Sequence, residues 1–302
     1  MQRDIEFDAE GVTLRGWLFT PDEGTGPFPT IIMAHGISCV KEMYLDDFAR
    51  VFAEAGLASV VFDNRCFGAS DGEPRCELDP WAQVRDYRHA CTFAESLEVV
   101  DNDRIGFWGV SYGGGNAIVA AAFDRRCKCV VSLIPMMSGF QQVRRQLPAH
   151  LEPMIRAAFD ADRRARFAGA APQMIPLVSD RALDPYVMLP QQESFDFFTS
   201  THRERAPAWR NELTLRSAEM TSEYEAGLFI RRVSPTPLQM IVMSGDVVTH
   251  AEDAIRAFEQ ALEPKKLLIF PGNHYEAYRE RFAETSAASR DWFVEHLIGG
   301  TS

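Results

Sequence analysis

With 302 residues, 46% of them apolar, the chain is long enough for one large two-faced core with an insertion, or for two smaller domains. A net charge of −12 argues against a phosphate-backbone binder, which needs a basic surface, so no nucleic-acid partner is expected. The chain starts with polar residues and has no run of about 18 uncharged apolar residues, so the expectation is no membrane span and a cytoplasmic location.

Apolar and polar residues alternate through residues 4–8 and 14–20 with Glu10-Gly11 between, a hairpin signal. A Gly/Pro-rich connection leads to a short apolar run at 30–34, then helical spacing at 44–55 and a second buried run at 58–62. Residues 80–97 read as a long helix and 104–108 as another strand. A helix rich in small residues follows at 116–123, and a strand at 130–134. Strands alternating with helices predict a mostly parallel central sheet covered on both faces, with ligands at the C-terminal strand edge. The rhythm then breaks. Between residues 136 and 233 no buried strand is expected, only helical runs at 151–168, 191–205 and 218–231. It resumes with a strand at 238–244, a helix at 249–262, a strand at 266–270 and a last helix at 278–297. The expected organisation is an α/β core made of 1–135 and 234–302, with 136–233 inserted as a helical lid.

The chemistry centres on Gly109-Val110-Ser111-Tyr112-Gly113, directly after the strand at 104–108. A serine at the apex of a strand-to-helix turn, with glycine two residues to either side, is a nucleophile elbow. A serine hydroxyl needs a base, and the base needs an orienting acid. Asp246 follows the strand at 238–244 and His274 follows the strand at 266–270, in the order Ser, acid, His. The expected triad is therefore Ser111, His274 and Asp246, with Asp253 and Glu252 as less well placed acids. Of the other histidines, His89 and His296 fall within helices, His150 and His202 in the insertion, and His250 at a helix start. His35-Gly36-Ile37-Ser38 follows the strand at 30–34. The backbone N–H groups of Ile37 and Tyr112 are the candidate oxyanion donors. His35, Cys39, Met136 and Trp209 are candidate substrate contacts, although His35 reads more readily as a brace for its loop.

Cys127 and Cys129 flank a single lysine, too close for a metal hook, and no second thiol pair answers them. All six cysteines read as free thiols, Cys39 and Cys66 falling near the proposed site. Neither a metal nor an organic cofactor is expected.

His35-Gly36, Asp63-Asn64-Arg65 with Gly68 and Ser70, Asp103-Arg104 through the elbow, Gly245-Asp246 and Gly272-Asn273-His274 together resemble the α/β-hydrolase superfamily. Lys41-Glu42-Met43, the Arg65 loop and residues 209–217 are similar, more narrowly, to the dienelactone-hydrolase-like branch. That branch includes esterase-like enzymes and polyketide transferases of secondary metabolism. Two departures stand out. Cys66 occupies a position usually held by glycine in the Arg65 loop, and Cys39 ends the loop begun by His35-Gly36.

The resemblance implies an ester or thioester substrate cleaved through an acyl-enzyme. A carrier protein or CoA thioester would be an acyl donor consistent with it. An acyltransferase or cyclising enzyme would use the same triad, and a non-catalytic receptor would use the same pocket without needing the base and acid. Serine rather than aspartate at the elbow disfavours haloalkane and epoxide chemistry. The insertion carries many arginines, among them Arg144, Arg145, Arg156, Arg163, Arg164 and Arg166, and no lysine. Either they recognise an acidic group or they are solvated faces paired with nearby carboxylates, and the second reading is favoured. Its apolar residues, Phe197, Phe198 and Met154 among them, would be mostly lid core with some lining an acyl pocket. A lid or a final helix could also support a homodimer.

Overall fold

The computed structural model describes residues 1–180 and 186–299. Its eight-stranded sheet begins with the hairpin β1 (Gln2–Ala9) and β2 (Val12–Phe19). β3 (Phe28–Ala34), β4 (Ala58–Phe62), β5 (Val100–Val110) and β6 (Cys127–Leu133) follow. Later in the chain come β9 (Leu238–Met243) and β10 (Lys265–Phe270). The spatial order is β1-β2-β4-β3-β5-β6-β9-β10. β2 runs against both of its neighbours, and every pair from β4 to β10 is parallel. The C-terminal ends of β3, β5, β9 and β10 therefore share one edge.

Helices cover both faces because successive side chains of β5 point to opposite sides. Trp108 packs against Phe48 of α1 (Leu45–Glu54), ring centroids 4.8 Å apart, on the face that α9 (Phe282–Phe293) also covers. Phe107 faces the other way, toward Tyr87 of α2 (Pro80–Glu95) at 5.7 Å. α3 (Tyr112–Phe123) and α8 (Ala251–Gln260) share that second face. The start of α2 is written in its sequence. Asp79 caps it, accepting from the N–H groups of Trp81 and Ala82, and Pro80 sits where no N–H is needed.

Between β6 and β9 the chain forms α4 (Gly139–Gln146), α5 (Glu152–Phe167), α6 (Gln192–Glu204) and α7 (Leu215–Ser222). Three expectations are corrected here and at the C-terminus. First, an antiparallel pair of two-residue strands, β7 (Met174–Ile175) and β8 (Leu213–Thr214), lies where none was expected; strands so short leave no periodic signal. Second, the run at 218–231 is two elements, α7 and a 3₁₀ helix at Ala226–Arg232. Thr214 begins α7 earlier than expected by capping the Ser217 N–H. Third, the last run, 278–297, is divided into α9 and a π-helical turn at Val294–Ile298, and a 3₁₀ turn at His274–Tyr278 precedes it. The helix α4 was not anticipated. Among the described residues no helix is long and apolar enough to cross a membrane.

Candidate active site

Ser111 stands at the junction of β5 and α3 with φ 57° and ψ −125°, a backbone conformation rarely taken by a residue with a side chain. Hydrogen bonds fix it there. Its N–H donates to the Leu133 carbonyl at 2.8 Å, and its carbonyl accepts from Gly114 at 2.9 Å and Met136 at 3.0 Å. The glycines of the elbow answer close contacts. A Cβ on Gly109 would collide with the Gly113 carbonyl, and one on Gly113 would come within 2.5 Å of the His35 carbonyl oxygen. From behind, the Tyr87 hydroxyl donates to the Trp108 carbonyl at 2.9 Å.

Asp246 and His274 lie in the loops that leave the adjacent strands β9 and β10, joined where the Gly245 N–H donates to the Gly272 carbonyl at 2.9 Å. His274 Nδ1 is 2.6 Å from Asp246 Oδ2, and both side chains are 2% exposed. With the imidazole neutral, that contact places the proton on Nδ1 and leaves Nε2 as the basic nitrogen. The carboxylate also receives the N–H groups of Val248 and Thr249 at 2.8 and 2.9 Å, and the Thr249 hydroxyl at 2.9 Å. Burial alone would raise the Asp246 carboxyl; the charge and hydrogen bond of His274, with the Thr249 donors, hold it below its ordinary value.

Ser111 and His274 line one cavity at the C-terminal edge of the sheet. Gly36, Ile37 and Cys39 come to it from the loop after β3. The loop is pressed onto Ser111: a Cβ on Gly36 would sit 3.1 Å from the Ser111 Cβ. Among the described residues the Ile37 N–H meets no acceptor, and the Tyr112 N–H, at the first position of α3, has none within its helix. Lys41 and Asp63 anchor the far side of this loop. The Asp63 carboxylate accepts from the Lys41 N–H at 2.7 Å, from its Nζ at 2.8 Å and from the Ala69 N–H at 2.9 Å.

Of the four candidate substrate contacts, only Cys39 lines the cavity. Its thiol is buried, and burial pushes its pKa up. His35 sits behind the wall, its Nε2 2.6 Å from the Met43 carbonyl, its Nδ1 accepting from Gly36 at 2.7 Å, and its ring stacked on Tyr278. Met136 holds the elbow through its backbone, and Trp209 stacks behind Phe198 at 5.2 Å. Cys66 is buried in the Arg65 loop away from the cavity, its N–H bonded to Asp71. The remaining wall is Leu189, Phe197, Phe198, Val248, Tyr275 and Tyr278. Phe197 and Phe198 belong to the insertion's apolar set read from the sequence; the tyrosines, Leu189, Val248 and Thr249, whose hydroxyl donates to Asp246, carry no sequence signal beyond standing near Asp246 and His274 or in the insertion.

No aspartate, glutamate, lysine or arginine among the described residues lines the cavity. Four of the six arginines singled out in the sequence are in ion pairs: Arg145 with Asp253, Arg156 with Glu152, Arg163 with Asp160 and Glu219, and Arg166 with Asp162. Among the described residues no group of three or more His, Cys, Asp or Glu is arranged to hold a metal ion.

The sequence profile of the X-Pro dipeptidyl-peptidase (S15 family) matches residues 10–276. The chain belongs to this family of α/β-hydrolases. It is 30% identical to a thiohydrolase of Eupenicillium brefeldianum over 298 residues, 97% of this chain and 94% of that one. It is 31% identical to polyketide transferase grgF of a Penicillium species over 270 residues, 89% of this chain and 87% of that one. The crystal structure of the α/β-hydrolase GrgF from Penicillium sp. sh18 superposes with a TM-score of 0.86 at 28% identity, covering 99% of both chains. The family and these relatives bear out the resemblance read from the motifs. They identify the chain as a hydrolase- or transferase-type enzyme of the ester and thioester branch.

Proposed function

We propose that this α/β-hydrolase is a serine enzyme that cleaves an ester or thioester through a covalent acyl-enzyme. The buried Asp246–His274 pair, opening onto the same cavity as Ser111 at the sheet edge, carries the reading. Ser111 Oγ attacks the acyl carbon while its proton passes to His274 Nε2. Asp246 accepts the Nδ1–H and stabilises the imidazolium that forms. The oxyanion receives the N–H groups of Ile37 and Tyr112, donors whose single loss typically costs about 10²–10³ in rate. The carbon–oxygen or carbon–sulfur bond then breaks, and His274 returns the proton to the leaving alkoxide or thiolate. Water, deprotonated by the same imidazole, releases the acid and restores Ser111.

The wall without charged side chains suits an uncharged acyl group, and it offers no carboxylate to hold the free amine of a dipeptide-releasing substrate. A carrier or CoA thioester supplies such a group on a good leaving thiol. Acyl transfer to an alcohol or amine instead of water is the second reading, favoured by the name of the polyketide transferase relative. All six cysteines are free and buried, in keeping with a reducing, cytoplasmic setting.

The test is rapid mixing with an activated ester such as p-nitrophenyl butyrate, with and without added alcohol. A burst of nitrophenolate equal to the enzyme concentration marks the acyl-enzyme. Asp246→Asn is expected to lower the burst rate by roughly 10³–10⁴, and Ser111→Ala to abolish it. A linear trace that Ser111→Ala leaves unchanged would refute the mechanism. The alcohol arm separates hydrolysis from transfer by the product formed.

A further inference from the structure

The cavity bounded by Ser111 and His274 leaves only about 10 Å³ for a water-sized molecule, room for about one water. The reacting centre of any ester or thioester is larger, so some part of the wall yields when substrate enters. Most of the wall cannot yield without dismantling the site. Gly36, Ile37 and Cys39 belong to the loop pressed on the nucleophile. Val248, His274, Tyr275 and Tyr278 lie on the loops that carry the acid and base. Leu189, Phe197 and Phe198 alone come from outside the core.

Phe197 is central among these. Its ring stacks on Tyr275, the residue after His274, at 4.2 Å and 22°. It also meets Phe198 edge-on at 5.4 Å and lies 5.4 Å from Tyr278 and 5.9 Å from Tyr44. Its helix, α6, is tied to the core at both ends: beside the site the Tyr275 hydroxyl donates to the buried Ser194 Oγ at 2.8 Å, and polar contacts hold the far end. Arg205 pairs with Asp46 and Asp47, each at 2.6 Å, and Arg279 donates to Ser200 Oγ at 2.8 Å.

We propose that Phe197 plugs the acyl site of the resting enzyme and sets its specificity: moved aside, its ring opens a site for an uncharged apolar acyl chain, and its size limits the length of chain accepted. This rests on the serine mechanism proposed above and adds to it a residue that selects the substrate. Truncating the ring leaves an apolar void beside the imidazole, which a longer chain fills. A substitution that only loosened packing would slow or speed all acyl lengths alike.

The experiment compares two phosphonylating probes, ethyl fluorophosphonate and decyl fluorophosphonate. The rate of Ser111 adduct formation is read by intact mass for the wild type, Phe197→Ala and Phe197→Leu. The readout is the ratio of decyl to ethyl rates, which cancels general losses of reactivity. The proposal expects that ratio to rise by about tenfold or more in Phe197→Ala, and in the same direction but less in Phe197→Leu. A ratio within about twofold of wild type in the folded variants would overturn it. Should Phe197→Ala fail to fold, the Phe197→Leu ratio decides alone. No adduct from either probe on wild type would overturn the serine reading itself and the proposal with it. An adduct with an unmoved ratio would overturn the proposal only.

Discussion

Protonating His35 would place a cation where water does not reach it. Burial, with the nearby Arg205 charge adding to it, lowers its pKa from 6.5 to about 4 despite the opposing bond to the Met43 carbonyl. Between those two values the unfolded chain binds a proton that the folded chain refuses, so stability rises with pH across the window and is lost on acidification. The loss due to this one group approaches about 3 kcal/mol below the lower value. His35→Gln, which keeps a donor for Met43, is expected to flatten the difference in urea midpoint between the ends of that window. A slope equal to wild type would show that other groups govern it. The same residue shows what sequence reading can and cannot reach. Its place after β3 is legible and favours a brace, whereas its stacking on Tyr278 depends on a turn 243 residues further along the chain.

At the scale of elements, the elbow tolerates little added volume. Gly113 lies so close to the His35 carbonyl that a methyl group there must displace either the turn or the loop carrying Ile37. Gly113→Ala is expected to cost about 1–3 kcal/mol as an overpacking strain. It should also slow formation of the serine adduct, because the N–H groups of Ile37 and Tyr112, the proposed oxyanion donors, flank the contact. Thermal unfolding and adduct kinetics check the two effects, and an unshifted Tm would mean the turn relaxes freely. The core elements are readable because β4 and β9 are short, wholly buried runs, β3 is buried beyond its first residue, and helices such as α1 have strong apolar periodicity. The segment between β6 and β9 was harder. α4 is only eight residues long, and β7 and β8 have two residues each, too few for either period to register. Its arginines are legible as a composition bias, and Arg156, Arg163 and Arg166 pair with carboxylates three or four residues away within α5; the Arg163–Glu219 and Arg145–Asp253 pairs instead depend on how α5 meets α7 and α4 meets α8.

Across the whole molecule, the sheet order sets the chemistry. Loops after β3 and β5, neighbours in the sheet, bring Ile37 beside Ser111, and loops after β9 and β10, also neighbours, bring Asp246 onto His274. The chain order of Ser111, Asp246 and His274 is visible in the sequence because each follows a recognisable strand. The cavity wall is not, because it is assembled from side chains of four loops and a helix whose packing no local pattern encodes. The measurement that bears most directly on the central claim is intact mass after treatment with a small fluorophosphonate, on wild type, Ser111→Ala and His274→Ala in parallel. The account predicts one adduct on wild type, none on Ser111→Ala, and an adduct on His274→Ala that forms slower by about 10³-fold or more. Labelling that persists in folded Ser111→Ala, or is absent from folded wild type, would contradict it.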